Sequence, residues 1–267
     1  MRLFLTFSYA RHSQTAERSE GALEEFIPLT RQFILNENTP FVVNETYAKI
    51  RTNILSALDG SMYNSFVVTS QCRSEGKTTS AVNLSIMFSR LGKRVLLIDC
   101  DLRRSCLADM LRIKNRFGLS SILTGECDVY SGICADVRTD FHVITSGPFI
   151  NNPSELLGGG NMERLVRMLY DYYDYIVLDT PPLCIANDAV LFGGYTGGVI
   201  LVLRENKTTH KDMKTAVTTL KLSKARVLGV IKTYCAIKTS RRDEYKSTLA
   251  ENAADLDERD LDSGDSL

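Results

Sequence analysis

The chain has no surplus of either charge. Its 32 basic and 32 acidic side chains leave a formal net charge of zero, so no global field draws it to nucleic acid or anionic lipid. It has no apolar run near the roughly 18–20 residues that a spanning helix needs. The opening Met1-Arg2-Leu3-Phe4-Leu5-Thr6-Phe7 is too short for a signal-peptide core, so any membrane role is expected to be borrowed from a partner. It has no C-x-x-C pair, and its seven cysteines are an odd number. Neither a disulfide framework nor a zinc site is supported. Several cysteines sit in apolar runs, where Cys acts as a small core residue, and a reducing cytosol fits best. No internal repeat and no Pro/Ser-rich linker divides the sequence, which predicts one domain with two flexible ends.

What is present is a 44% hydrophobic chain, enough for one large α/β domain. Residues 1–40 show weak periodicity and read as an N-terminal arm, partly disordered, with a helix over residues 21–33. Residues 239–267 are acidic and poor in apolar side chains, the composition of a disordered tail. Between them, residues 41–238 alternate in type. Residues 44–58 have helical spacing, with Tyr47, Ile50, Ile54 and Leu55 on one side and Asn44 as N-cap. Short apolar strands are predicted at residues 66–68, 94–98, 141–144, 175–178, 198–203 and 227–231. Helices are predicted at residues 78–91, 161–170 and 208–222. Near-continuous apolar strands separated by helices imply a mostly parallel sheet with helices on both faces.

The central signal is Gln71-Cys72-Arg73-Ser74-Glu75-Gly76-Lys77-Thr78-Thr79. It follows a strand and opens a helix, and its second half matches G-x-x-x-x-G-K-[ST], with Gln71 in place of the first glycine. In such a P-loop NTPase fold, successive backbone N–H groups and the helix N-terminus surround a phosphate. Ser74, Glu75, Gly76, Lys77, Thr78 and Thr79 are the candidate ATP-binding residues. Gly76 permits close approach, Lys77 reaches the β/γ oxygens, and Thr78 offers a hydroxyl to Mg²⁺.

Two apolar strands end on acid. Leu96-Leu97-Ile98-Asp99-Cys100-Asp101 and Tyr175-Ile176-Val177-Leu178-Asp179 place carboxylates at the edge where open α/β sheets bind ligands. Asp99 and Asp101, two apart on an extended strand, are expected to face the same way. Both could therefore face the Mg²⁺ that Thr78 serves, and Asp179 would hold it directly or through a water. The competing role for each Asp is a helix N-cap after a strand.

These residues resemble a known family. Asp99-x-Asp101-x-Arg103, beside the Lys77 loop and Asp179, is similar to the Walker A′ motif of bacterial tyrosine kinases of the capsular and exopolysaccharide type. Asn152-Pro153-Ser154-Glu155-Leu156-Leu157, Asp188-Ala189 and Leu228-Gly229-Val230 also resemble family segments. The resemblance implies protein-tyrosine kinase activity. Lys77 would hold phosphates, Thr78 and Asp101 would serve Mg²⁺ with Asp179 assisting, Asp99 would act as base, and Arg103 would stabilise transferring charge unless it is simply solvated beside Arg104. It also implies a transmembrane polysaccharide co-polymerase-type adaptor, a cytoplasmic protein recruited to the inner face of the plasma membrane, and ring-like self-association through Glu45 and Arg51.

The sequence departs from the pattern in three places. Ser74 replaces a glycine, at a cost on the order of 1 kcal/mol if its φ is positive. Ala48 replaces the first arginine of the self-association motif. The tail tyrosine cluster is absent, leaving Tyr245 as candidate acceptor or as an incidental tail residue. Tyr170, Tyr172, Tyr173 and Tyr175 precede a buried strand and are expected to pack. Two alternatives stay open: a partition-type ATPase switch, opposed by Cys72 where that group has its signature lysine, and an ATP-binding regulator that transfers nothing.

Overall fold

The chain builds eight strands and nine helices among residues 3–8 and 33–235, which a computed structural model describes. The expected helix over residues 21–33, apart from Phe33, the acidic tail and Tyr245 lie outside the described residues. In chain order the elements are β1 (Leu3–Ser8), α1 (Phe41–Leu58), β2 (Ser65–Ser70), α2 (Lys77–Ser89) and β3 (Val95–Asp99), then α3 (Leu107–Leu111), α4 (Leu119–Thr124) and α5 (Val129–Gly132). They continue with β4 (Ile133–Arg138), β5 (Phe141–Ile144), α6 (Pro153–Gly158), α7 (Gly160–Leu169) and β6 (Tyr175–Asp179). The last are α8 (Asp188–Leu191), β7 (Val199–Arg204), α9 (His210–Leu222) and β8 (Val227–Cys235).

The strands form one sheet in the order β1-β8-β7-β2-β6-β3-β5-β4. Every ladder is parallel except β4 against β5. The reason is legible in β2, β3, β6 and β7. Each is buried along nearly its whole length, so alternate side chains feed two separate cores. Val68, Leu97, Val177 and Ile200 pack with Tyr47, Ile50 and Ile54 of α1 and Leu84 and Phe88 of α2. Val67, Ile98, Leu178 and Leu201 pack with Leu165 and Val166 of α7 and Ala216 and Leu220 of α9 on the opposite face.

α2 is the buried helix of the set: residues 80–89 are all inaccessible or nearly so. Phe88 lies 4.5 Å from the Tyr175 ring and 5.8 Å from that of Phe66. Truncating such a side chain typically costs about 3–5 kcal/mol, so α2 is fixed rigidly to the sheet whose edge carries the site.

Local starts differ from the sequence reading in two places. α1 begins at Phe41 with Pro40 as its N-cap residue, and Asn44 is inside the helix. Proline has no N–H to lose and a preset φ, while the Asn44 amide donates to Thr39 O at 3.0 Å. The sequence reading also made no strand of Leu3–Ser8, which pairs parallel with β8 at the sheet edge. Just before α1, Leu35 is fully buried and its N–H donates to Asn83 Oδ1 at 2.9 Å.

Candidate active site

β2, β6 and β3 are neighbours, and the groups singled out in the sequence stand at their carboxyl ends. Register sets Asp99 directly beside Asp179, and Val68 beside Asp179. β2 runs on into the loop that opens α2. Gly76 precedes α2 with φ 87°, a left-handed conformation that only glycine adopts without strain. Ser74 also lies in that region, at φ 60°, and so carries the strain expected there.

The loop is held both from outside and by its own contacts. Thr233 Oγ1 donates to Glu75 O at 2.7 Å, Arg204 Nη1 to Ser74 O at 3.1 Å, and Lys207 Nζ to Arg73 O at 2.6 Å. The Glu75 carboxylate is buried; it accepts from Cys72 N at 2.8 Å and from the Thr208 hydroxyl. Glu75 therefore braces the loop from within, and its side chain is not a phosphate contact.

Lys77 Nζ lies 3.3 Å from Asp101 Oδ2 and 3.7 Å from Asp179 Oδ1, and it donates to Thr78 Oγ1 at 3.1 Å. Burial opposes its charge, but Asp179 and Asp101 more than offset this and hold the ammonium well above its ordinary pKa. Burial pushes the Asp179 carboxyl up, and Lys77 and Thr78 pull it back. Asp179 Oδ1 has no hydrogen-bond partner among the described residues. A buried carboxylate oxygen with an open lone pair, a nearby hydroxyl and a second carboxylate is the oxygen donor set that suits Mg²⁺. The residues present thus fit the ion expected from the sequence.

Asp99 is turned to a different task. β3 ends at Asp99, so the strand alternation does not carry on to Asp101. The Asp99 carboxylate accepts from Asp101 N at 3.0 Å and from Ser105 Oγ at 2.5 Å. Burial, then the Asp179 charge, raise its pKa to about 7. A carboxylate so raised is a stronger base than one in water.

The family described as AAA domain matches residues 67–225. Tyrosine-protein kinase YwqD of Bacillus subtilis (strain 168) is 36% identical over 202 residues, covering 76% of this chain and 84% of that protein. The chain belongs to the bacterial tyrosine-kinase family. The kinase also superposes on the kinase domain of Escherichia coli tyrosine kinase ETK, with a TM-score of 0.77 and 27% identity over 89% of this chain and 92% of that one. The septum site-determining protein MinD from Pyrococcus horikoshii OT3, complexed with Mg-ADP, shares the fold at 22% identity, with a TM-score of 0.53 over 64% of this chain and 70% of that one.

In the kinase, Arg103 does not sit free at the mouth of the site. Its guanidinium donates to the buried carboxylate of Asp188 and, at 2.6 Å, to Ser154 Oγ, which itself donates to Asp188 Oδ1 at 2.6 Å. The segment at Pro153–Gly158 and the start of α8 are tied to the Walker A′ turn through this one side chain. The sequence left Arg103 either aiding transfer or solvated; the structure shows that it is not simply solvated, because the fully enclosed Asp188 takes it as partner.

Glu45 and Arg51 lie on α1, away from the loop. Arg51 Nη1 donates to Met87 O in the last turn of α2 at 2.8 Å. That satisfies a helix-end carbonyl and favours the dipole. Burial, then Arg90, lower the Arg51 pKa, and Glu45 opposes them. Thr79 is half-buried in the first turn of α2. Tyr173 is buried, Tyr170 donates to Tyr195 O at 2.9 Å, and Tyr175 packs on Phe88, whereas Tyr172 is exposed.

Four residues of the site were not read from the sequence. Ser105 holds Asp99, Thr208 and Thr233 hold the loop, and Cys106 lies close enough to Lys77 and Thr78 to feel both. No periodicity or spacing marks them, since three arrive from elements remote in sequence from the groups they touch.

Proposed function

We propose that the kinase transfers the γ-phosphoryl group of ATP to a protein tyrosine, with Asp99 accepting the proton that the phenol gives up. One observation carries the reading: the half-buried Lys77 ammonium and the carboxylates of Asp99, Asp101 and Asp179 meet at the N-terminus of α2.

Lys77 binds the β/γ oxygens as a fixed charge. Thr78, Asp101 and Asp179 would hold Mg²⁺, which supplies charge neutralisation on the phosphates when bound. Backbone N–H groups of residues 74–79 orient the triphosphate. Phosphoryl transfer asks for alignment and charge compensation more than for covalent chemistry. As the tyrosine oxygen bonds to the γ-phosphorus, the bond to the β-phosphate oxygen breaks, ADP leaves, and the phenolic proton passes to Asp99. Ser105 keeps the Asp99 carboxylate in one orientation while this happens. Arg103 acts at a distance, by fixing the Walker A′ turn against Asp188.

The acceptor we assign is Tyr245, reached in a second copy of the chain. The biological setting we assign is capsular or exopolysaccharide assembly, with a transmembrane polysaccharide co-polymerase-type adaptor bringing the kinase to the inner face of the plasma membrane. Among the described residues no helix is long and apolar enough to cross a membrane.

Incubation of the full chain with γ-labelled ATP and Mg²⁺ tests the reading. Phosphotyrosine is expected in the wild type, lost in Lys77→Met and reduced in Tyr245→Phe. Free phosphate release with unlabelled protein would overturn it in favour of a nucleotide switch.

A further inference from the structure

Two cysteines stand on neighbouring segments where the phosphate loop begins. Cys72 opens the loop after β2, and Cys184 follows the Pro181-Pro182 turn after β6. The two segments run side by side. Leu183 N donates to Ser70 O at 2.8 Å and Cys184 N to Gln71 O at 3.0 Å, while Thr69 Oγ1 donates to Pro181 O at 3.0 Å. Backbones paired in this way stand about 5 Å apart, within the Cα separation that a disulfide spans. The Cys184 thiol is near enough to Cys72 to contribute to the upward shift of its pKa. Cys184 is exposed and Cys72 half-buried, so a small oxidant reaches the first and the second waits behind it.

We propose that Cys72 and Cys184 form an oxidative modification site, which a hydroperoxide converts to a disulfide that clamps the nucleotide loop. The Cys184 sulfur attacks a peroxide oxygen. The O–O bond breaks, a sulfenic acid forms on Cys184, and with hydrogen peroxide one water leaves. The Cys72 sulfur then attacks the sulfenic sulfur. The S–O bond breaks, the disulfide forms, and a second water carries away the remaining proton. Two thiols are oxidised and one hydroperoxide is reduced to two waters, so the step balances.

The order of attack follows from the surroundings. Burial, then the Glu75 carboxylate, raise the Cys72 thiol to about 11, so Cys72 resists first attack and acts as the resolving thiol. The consequence follows from the loop contacts. Cys72 N donates to Glu75 Oε2, and Glu75 in turn is fixed by Thr208 and Thr233. Drawing the Cys72 sulfur on to Cys184 pulls this amide from its carboxylate and shifts the loop amides away from the phosphate position. Cys106, the other exposed cysteine among the described residues, lies beside Lys77 and has no thiol partner in its surroundings.

The test uses the full chain, reduced and then exposed to hydrogen peroxide, with free thiols alkylated before peptide mapping. A Cys72–Cys184 linked peptide is expected, together with an ATP dissociation constant about tenfold weaker, a difference of about 1.4 kcal/mol. A thiol reductant restores both. Cys184→Ser is expected to bind ATP like the reduced wild type before and after peroxide. Finding both thiols still alkylatable, or a link to Cys106 instead, overturns the site. A linked protein that binds ATP as tightly as the reduced one overturns the clamp. Equal peroxide sensitivity in Cys184→Ser overturns both.

Discussion

Asp101 stands 3.3 Å from the ammonium of Lys77, and that pair defines how the site is poised. The ammonium is already oriented by a carboxylate just beyond β3 and by another at the end of β6, where Asp179 lies 3.7 Å away. On the proposed reading, arriving phosphate oxygens would meet a charge already in place, and Asp101 and Asp179 would turn from it towards a metal ion. The arrangement is preorganised in the sense that matters for phosphoryl transfer.

Removing the cation tests this directly. Lys77→Met takes away charge-assisted contacts worth about 1.5–3 kcal/mol each, so ATP affinity is expected to fall about 10–100-fold and phosphotyrosine to vanish. Calorimetry and an anti-phosphotyrosine blot measure the two. Unchanged affinity would show that the phosphates sit elsewhere.

Asp179 carries a separate expectation. Asp179→Asn keeps the shape and the burial but removes the charge facing the open coordination position. Transfer is expected to require about tenfold more Mg²⁺, a loss of about 1.4 kcal/mol, and chelation with EDTA is expected to stop it in the wild type. A Mg²⁺ titration of the rate reads the shift. An identical Mg²⁺ dependence in both proteins would remove Asp179 from the metal set.

Arg103→Ala is expected to act through stability. It leaves Asp188 buried without its cation, which costs about 3–5 kcal/mol for a fully enclosed pair. The Arg103 side chain is 28% exposed, so about 2–4 kcal/mol is the expected loss in urea denaturation. Replacing both partners, as Arg103→Leu with Asp188→Leu, is expected to recover much of it. An Arg103→Ala protein of unchanged stability and abolished transfer would make Arg103 a direct participant instead.

Ser74→Gly relieves a left-handed residue. The strain removed, less the added freedom of the unfolded chain, amounts to about 0.5–1 kcal/mol, and Tm is expected to rise by a few degrees. A fall in Tm would mean that the serine side chain has a contact that outweighs its backbone.

Phenols enclosed by the fold give a pH dependence at the alkaline end. Burial raises Tyr47 and Tyr170 from 10.0 to about 12 each. Groups raised on folding bind protons more tightly in the native state. Their contribution is thus complete below pH 10 and is lost as pH rises through 10 to 12. Ultraviolet titration of phenolate is expected to show a late fraction among the eleven tyrosines, made up of Tyr47, Tyr170 and Tyr195, the last raised furthest by burial, with the urea midpoint dropping over that window. A single wave near pH 10 in the folded protein would refute the assignment.

Much of the architecture was open to reading before any coordinates. β2, β3, β6 and β7 are buried on both faces, and such strands announce themselves as unbroken apolar runs. The tight coupling of strand, Gly76-Lys77-Thr78 and buried helix was equally visible. The weak points were edges and starts. β4 pairs antiparallel at one edge and is only partly buried, so its sequence carries no clean alternation. Asn44 has the chemistry of an N-cap, yet Pro40 fixed the start of α1 first. Arg103 could not be placed, because its partner Asp188 lies 85 residues away.

By itself, then, the sequence determined which chemical groups this kinase owns and which strand ends bear them, because burial and turn chemistry are local and repeat with the pitch of each element. Only the tertiary structure decided how those groups are shared out: Asp101 and Asp179 to Lys77, Asp99 to Ser105, Asp188 to Arg103, Cys184 to Cys72. Those pairings depend on strand order and register, which place distant residues within a few ångströms, and no local pattern encodes which distant neighbour a side chain will meet.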